Sequence, residues 1–266
     1  MSGFARAAAF VVFLAVFCGH TRVDARPNTS RAAVGAYQLG RTAHQLAAGK
    51  NETRSGHAPA SSRADTYRRS LVISPASFAA QVVVTQASEI STKWVELQGR
   101  ILADQATLAG CRSGQGPCPA AAQRFLSLVE LGRRREGRAR IGHINRAVNL
   151  SIRPISDLVQ YGVDDFWAAP LTTMRTGAGD CEDYAIVKYL ALREVGIAPE
   201  NIRLLIVRDV RRQTNHAVVA VRHDHEWLIL DNRTMVMIRA TDAQYWPLFF
   251  LDDRGVAMLA TAALSD

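Results

Sequence analysis

Cysteine is scarce in this chain, four in 266 residues, and aromatic residues make up only 7% of it. So few cysteines exclude a disulfide-framework protein, which needs several bridges in a short chain. The apolar stretch Ala7 to Phe17 is too short for a comfortable membrane span. No internal repeat is present, which excludes a solenoid or propeller. Gly177 and Gly179 are not followed by a lysine at phosphate-loop spacing, so a nucleotide cradle of that type is excluded. His223 and His225 lack the further nearby ligands that a zinc site requires.

Charge of one sign is in excess. The net charge is +8, carried almost entirely by arginine. Arg133, Arg134, Arg135, Arg138 and Arg140 form a basic patch on or between helices. It lacks interleaved aromatics and any nucleic-acid motif, so a solvated helix face is the better reading and no nucleic-acid partner is expected.

The N-terminus reads as a secretory signal covering residues 1–25. Arg6 supplies a thin positive start, Ala7 to Phe17 the apolar core, and Val23-Asp24-Ala25 a small-residue cleavage site. Residues 26–73 are rich in Arg, Ser, Ala and Gly without a sustained period, and read as partly disordered. Residues 74–260 are the right size for one domain with a substantial core. After export Cys111, Cys118 and Cys181 remain. Cys111 and Cys118 bracket a turn-rich segment. In an oxidising compartment they form a short disulfide loop or stay as two half-buried thiols. A bridge there would leave Cys181 as the odd thiol.

Cys181 sits in Gly177-Ala-Gly-Asp-Cys-Glu-Asp-Tyr-Ala185. Ala185, Ile186, Tyr189 and Leu190 follow at helical spacing, with Gly196 as the stop, so the segment reads as an amphipathic helix with Cys181 in its first turn. There the unpaired N–H groups and the helix dipole favour a thiolate, and the same N–H groups can hold an oxyanion. Downstream, His216 opens an apolar strand and Asp231 closes the next, across the short connection His223-Asp-His-Glu226. If Arg222 faces Trp227, Asp231 is the diagonal neighbour of His216 on one face, where a carboxylate can fix the imidazole tautomer. A one-residue slip would separate them. Cysteine, histidine and aspartate in that order constitute a candidate thiol-catalysis triad.

Asp180, Glu182 and Asp183 flank the thiol, and negative charge there opposes its ionisation. Either these groups point away or a cation neutralises them. Clustered oxygen ligands suit a hard ion, so Ca²⁺ held by Asp180, Glu182 and Asp183 is the expected metal site.

Five separated motifs occur in order: Asn145-Arg-Ala-Val-Asn149, Asp164-Asp-Phe-Trp167, Gly179 to Ala185, Asn215-His216 and Leu230-Asp-Asn232. In these the chain resembles the bacterial transglutaminase-like cysteine proteinases of the LapG type, from about Ile144 to Leu251. The resemblance implies a periplasmic endopeptidase with its triad on Cys181, His216 and Asp231 and its calcium ligands on Asp180 and Glu182. It also implies a large repeat adhesin as substrate, cut near its N-terminal module at a small-residue site, so that a biofilm disperses. An inner-membrane receptor responding to cyclic di-GMP would sequester the protease. Two other functions use the same residues: acyl transfer to an amine, and a non-catalytic binding module.

The fold class expected is α+β, with a transglutaminase-like, papain-like core. Helices over Gln81 to Ala109, Pro119 to Glu136 and Ile141 to Leu150 pack on an antiparallel sheet of Ile202 to Val207, Ala217 to Val221 and Trp227 to Leu230, with Met235 to Ile238 as a further strand. Trp167 lines the cleft or fills the core.

Overall fold

The computed structural model describes residues 82–84 and 89–259. The expected signal peptide and the whole segment 26–73 lie outside the described residues. So does Cys18. Among the described residues no cysteine is free: Cys181 is disulfide-bonded in this structure rather than the odd thiol that the sequence predicts, so its thiol chemistry belongs to the chain after removal of the expected signal segment.

Among the described residues, the short strand β1 (Val82–Val84) is followed by three helices: α1 (Glu89–Ser113), α2 (Ala120–Arg133) and α3 (Gly137–Ser151). None is long and apolar enough to cross a membrane. Cys111 and Cys118 are joined (S–S 2.06 Å), closing the loop between α1 and α2. Short elements follow: α4 (Asp157–Tyr161), α5 (Pro170–Thr176), and two two-residue strands, β2 (Arg153–Pro154) and β3 (Ala178–Gly179), which pair in parallel. Next come α6 (Cys181–Glu194), β4 (Ile202–Asp209), β5 (Thr214–His223), β6 (Glu226–Leu230) and β7 (Ile238–Arg239). The last strands are β8 (Tyr245–Asp252) and β9 (Gly255–Leu259), and β1 (Val82–Val84) pairs with β9. The sheet is antiparallel throughout, in the order β1-β9-β8-β4-β5-β6-β7. Mixed helices and antiparallel sheet are the α+β class that the sequence predicts.

Strand alternation divides the core in two. Leu204, Ile206, Ala217, Val219, Val221, Leu228 and Leu230 join α6 and the N-terminal helices in the main core. Leu205, Val207, Val218, Ala220 and Ile229 turn the other way, against Tyr245, Phe250, Ala240 and Ala243. Because both faces are covered, β4 and β5 are apolar runs rather than alternating patterns.

Helix α6 is not amphipathic. Every residue from Cys181 to Leu192 is buried, because the sheet covers one side and α3 and α5 cover others. The β5–β6 hairpin turns on Asp224 and His225, both at positive φ (48° and 64°), the backbone that matches the twist of flanking strands. Arg222 pairs with Trp227, the register the sequence predicts.

Trp94 ties α1 to the rest. It is fully buried, donates Nε1–H to the Asp252 carbonyl at 3.0 Å, and meets Tyr189 of α6 edge-on at 5.6 Å. Trp94→Ala should cost about 4 kcal/mol of unfolding free energy, through lost burial and the lost hydrogen bond to the Asp252 carbonyl. Urea titration checks it, and a loss under about 1 kcal/mol would mean that α1 is not integral to the core.

Candidate active site

Helix α6 begins at Cys181, with Asp180 as its N-cap residue. Gly177 ends α5 in the left-handed conformation (φ 62°), and the chain then runs through β3 into α6. Gly179 has a stricter role than permitting a turn. A Cβ there would sit 2.6 Å from the Cβ of Asp183, so no larger residue fits without displacing that side chain. Cys181 is thus fixed in the first turn, 1% exposed, within reach of the helix N-terminal dipole.

Strand β5 delivers the imidazole. The backbone N–H of Ala217 donates to Cys181 Sγ at 3.3 Å, which brings the strand carrying His216 against the start of α6. His216 is fully buried, and its Nε2 lies 2.9 Å from Asp231 Oδ1. Asp231 follows the last residue of β6, the diagonal position expected for it. Burial pulls the imidazole below its ordinary pKa, against the opposing pull of the Asp231 charge. The Asp231 carboxyl is also buried. Its hydrogen bonds to His216 and Tyr245 nevertheless overcome desolvation and hold it well below the usual carboxylate range. Asp231 is therefore ionised at neutral pH, as an orienting carboxylate must be. With Nε2 facing Asp231, Nδ1 is the ring nitrogen turned away from that carboxylate.

The acidic residues do not all point away from Cys181. Glu182 Oε2 is 3.2 Å from Cys181 Sγ. Asp157, Asp180 and Glu182 each place a carboxylate oxygen within 4.8 Å of the others, and all three are buried. Burial pushes Asp157 up to about 6. Burial pushes Asp180 above the usual carboxylate range, with a hydrogen bond to Glu182 opposing and the charges of Asp157 and Asp165 adding to it. Burial and then the Asp180 charge push Glu182 up as well. Asp157 Oδ1 and Asp180 Oδ1 are buried and accept no hydrogen bond. Like charges gathered with orphaned oxygens are what a hard cation relieves, and an all-oxygen donor set fits Ca²⁺ rather than zinc.

Asp183, expected as a third ligand, is not in this cluster. One residue on from Glu182, it is rotated by about 100° around the helix, and its Oδ1 accepts the Ala168 N–H at 2.9 Å. It fixes the loop before α5. Asp157 takes the third position instead.

The sequence profile of the bacterial transglutaminase-like cysteine proteinases matches residues 108–250, more than half of the chain. The chain belongs to that family. Its five motifs had pointed there. The proteinase is similar to LapG of Legionella pneumophila: 20% identity over 63% of this chain and 90% of that one, with a TM-score of 0.48. It is likewise similar to calcium-bound L. pneumophila LapG: 22% identity over 62% and 93%, again with a TM-score of 0.48. No curated protein matches the chain.

The proteinase holds its site with residues that stand in the sequence only as motif letters. Asn149 of α3 donates Nδ2–H to the carbonyls of Asp231 and Thr234, both at 2.9 Å, and Asn145 donates to Thr234 at 3.3 Å. These two asparagines, four residues apart on one helix face, pin the turn after β6. Asp165 pairs with Lys93 at 2.7 Å, which secures the loop behind Asp157. Trp167 is 2% exposed, so it fills the core rather than lining the cleft. Lys188 of α6 is buried among apolar groups. Desolvation brings its pKa down to about 7, with the Asp231 charge opposing.

Proposed function

We propose that the protein is an exported, calcium-dependent cysteine endopeptidase that cuts the N-terminal region of a large surface adhesin and so controls biofilm attachment and dispersal. The observation that carries the protease chemistry is Cys181 at the start of a buried helix, beside the strand whose His216 is held by Asp231. Family membership supports peptide hydrolysis as the reaction. The five motifs support the adhesin, the periplasm and sequestration by a cyclic-di-GMP-responsive receptor.

His216 takes the proton of the Cys181 thiol through Nδ1, and the thiolate attacks the scissile carbonyl. N–H groups at the start of α6 hold the developing oxyanion. The imidazolium then protonates the leaving amine. Water, deprotonated by the same imidazole, releases the acyl group. Asp231 keeps Nε2 protonated and the ring aligned throughout. Asp157, Asp180 and Glu182 would hold Ca²⁺, whose charge offsets the carboxylates that otherwise oppose thiolate formation.

The test uses the mature protein and the N-terminal fragment of a co-occurring repeat adhesin, with Ca²⁺ or with EGTA. The expected result is one Ca²⁺-dependent cut at a small-residue site, absent with the Cys181→Ala variant. An intact fragment alongside a reactive Cys181 would rule out the adhesin. Incorporation of an added amine in place of hydrolysis would assign acyl transfer.

A further inference from the structure

We infer that Tyr245 is a positioning residue of the active site, the group that locks the Asp231 carboxylate and through it His216. The inference rests on the thiol–imidazole reading above and deepens it.

The Asp231 carboxylate has two oxygens with different duties. Oδ1 faces His216 Nε2 at 2.9 Å and also accepts the Arg233 N–H at 2.9 Å. Oδ2 accepts the Tyr245 hydroxyl. Asp231 and Tyr245 are 3% and 7% exposed, and His216 is fully buried, so water has little room to replace the hydroxyl. The Tyr245 ring also packs against the imidazole, with centroids 5.8 Å apart. One side chain therefore bounds the imidazole and anchors the carboxylate that orients it.

This meeting depends on the fold. Tyr245 opens β8 and pairs with Asp209 of β4, while His216 lies on β5 and Asp231 ends β6. The turn after β6 reaches back across these strand ends, because Arg233 Nη1 bonds Asp209 Oδ2 at 2.8 Å. That return brings Asp231 to the hydroxyl. The charged and titratable groups acting on the pair are Asp209 of β4, Arg233 of the turn and Lys188 of α6.

A carboxylate held at one oxygen only can rotate about its Cβ–Cγ bond and tilt the imidazole with it. A hydrogen bond to a charged group is about twice as strong as a neutral one, and an unmet buried carboxylate oxygen carries a desolvation penalty. Tyr245→Phe removes the hydroxyl and keeps the ring packing, so it separates the two contributions.

The experiment compares wild type, Tyr245→Phe, Tyr245→Leu and His216→Ala, all with Ca²⁺. The first readout is the iodoacetamide alkylation rate of Cys181 at pH 7. The second is the downfield proton resonance of the His216 Nε2–H, assigned by its loss in His216→Ala. Thermal midpoints are recorded for each. Tyr245→Phe should alkylate about tenfold more slowly, the change expected for one lost charged hydrogen bond. Its imidazole resonance should move upfield while its midpoint falls by only a few degrees, the cost of one unmet buried oxygen. Tyr245→Leu should match or exceed that loss. Wild-type alkylation and resonance in Tyr245→Phe would overturn the inference. A slower rate that only follows a lowered midpoint, with an unmoved resonance, would reduce Tyr245 to packing. Alkylation indifferent to His216→Ala would overturn the thiol–imidazole reading, and this inference with it.

Discussion

Cys181→Ala should abolish peptide cleavage, by about four orders of magnitude or more, and leave the protein folded. The size follows from the chemistry, since removing a nucleophile removes the covalent route altogether and leaves only positioning and oxyanion stabilisation. Preservation of the fold follows from the packing. Cys181 is 1% exposed at the first position of α6, so alanine loses one sulfur from a helix held along its whole length. The stability cost should be about 1 kcal/mol. Cys181→Ser should be nearly as inactive. A serine hydroxyl is far less acidic than a thiol, and an imidazole set for a thiol cannot ionise it readily. Rates on a cleavable peptide, with circular dichroism and thermal melts on the same samples, provide the check. Turnover near wild type in Cys181→Ala would remove Cys181 from the mechanism whatever its surroundings.

The parts of the site visible in the sequence are those set by local periodicity. Gly-Ala-Gly-Asp-Cys followed by a helical pattern puts Cys181 at a helix start. Alternation in β5 and β6 with a two-residue turn puts Asp231 diagonal to His216. Both depend on spacing within about twenty residues, and the hairpin register agrees. Distant groups were not legible. Asp157 lies 24 residues before Cys181 in a five-residue helix, where an acid in the first turn reads as an ordinary dipole partner. Only the parallel pairing of β2 with β3, which lays Arg153–Pro154 beside Ala178–Gly179, makes it a neighbour of Asp180. Asp183 shows the opposite case: adjacency in sequence is not a shared face, and helical rotation turns its Oδ1 to the Ala168 N–H. Strand β8 was hidden by Pro247. The pairing with β4 slips at that point, with Ile206 opposite Phe249 and Val207 opposite Pro247, and a bulge is where a strand tolerates proline. Tyr245 was lost with that strand. Lys188 interrupts an apolar helix face, and only burial on every side of α6 gives that charge a meaning.

Removing the cation should be the second large effect, and it should appear in stability as well as in rate. With Ca²⁺ at about a hundred times its dissociation constant, a site present only in the folded state adds about 2.7 kcal/mol. For a domain of this size that is a rise in Tm of roughly 5–10 °C over the EGTA-treated protein. The pH dependence has a definite sign. Asp157, Asp180 and Glu182 are pushed above their ordinary carboxylate values, Asp157 to about 6. In EGTA the folded state therefore holds more protons than the unfolded chain between about pH 4 and these raised values, and stability falls as pH rises through that window. With Ca²⁺ bound the carboxylates are ionised and matched, so stability should instead hold or increase across the same range. Asp157→Asn and Asp180→Asn each remove a ligand charge. Both should lose most of the Ca²⁺-induced shift, and in EGTA both should melt at or above wild type, because like-charge repulsion is relieved. Asp183→Asn should keep the Ca²⁺ response, since Asp183 faces Ala168. Calorimetric melts at pH 5 and pH 7, with and without Ca²⁺, distinguish these cases. Midpoints that Ca²⁺ leaves unchanged at both pH values, while still falling from pH 5 to pH 7, would mean that the buried acids hold no cation and that the charge beside Cys181 is neutralised by protons alone.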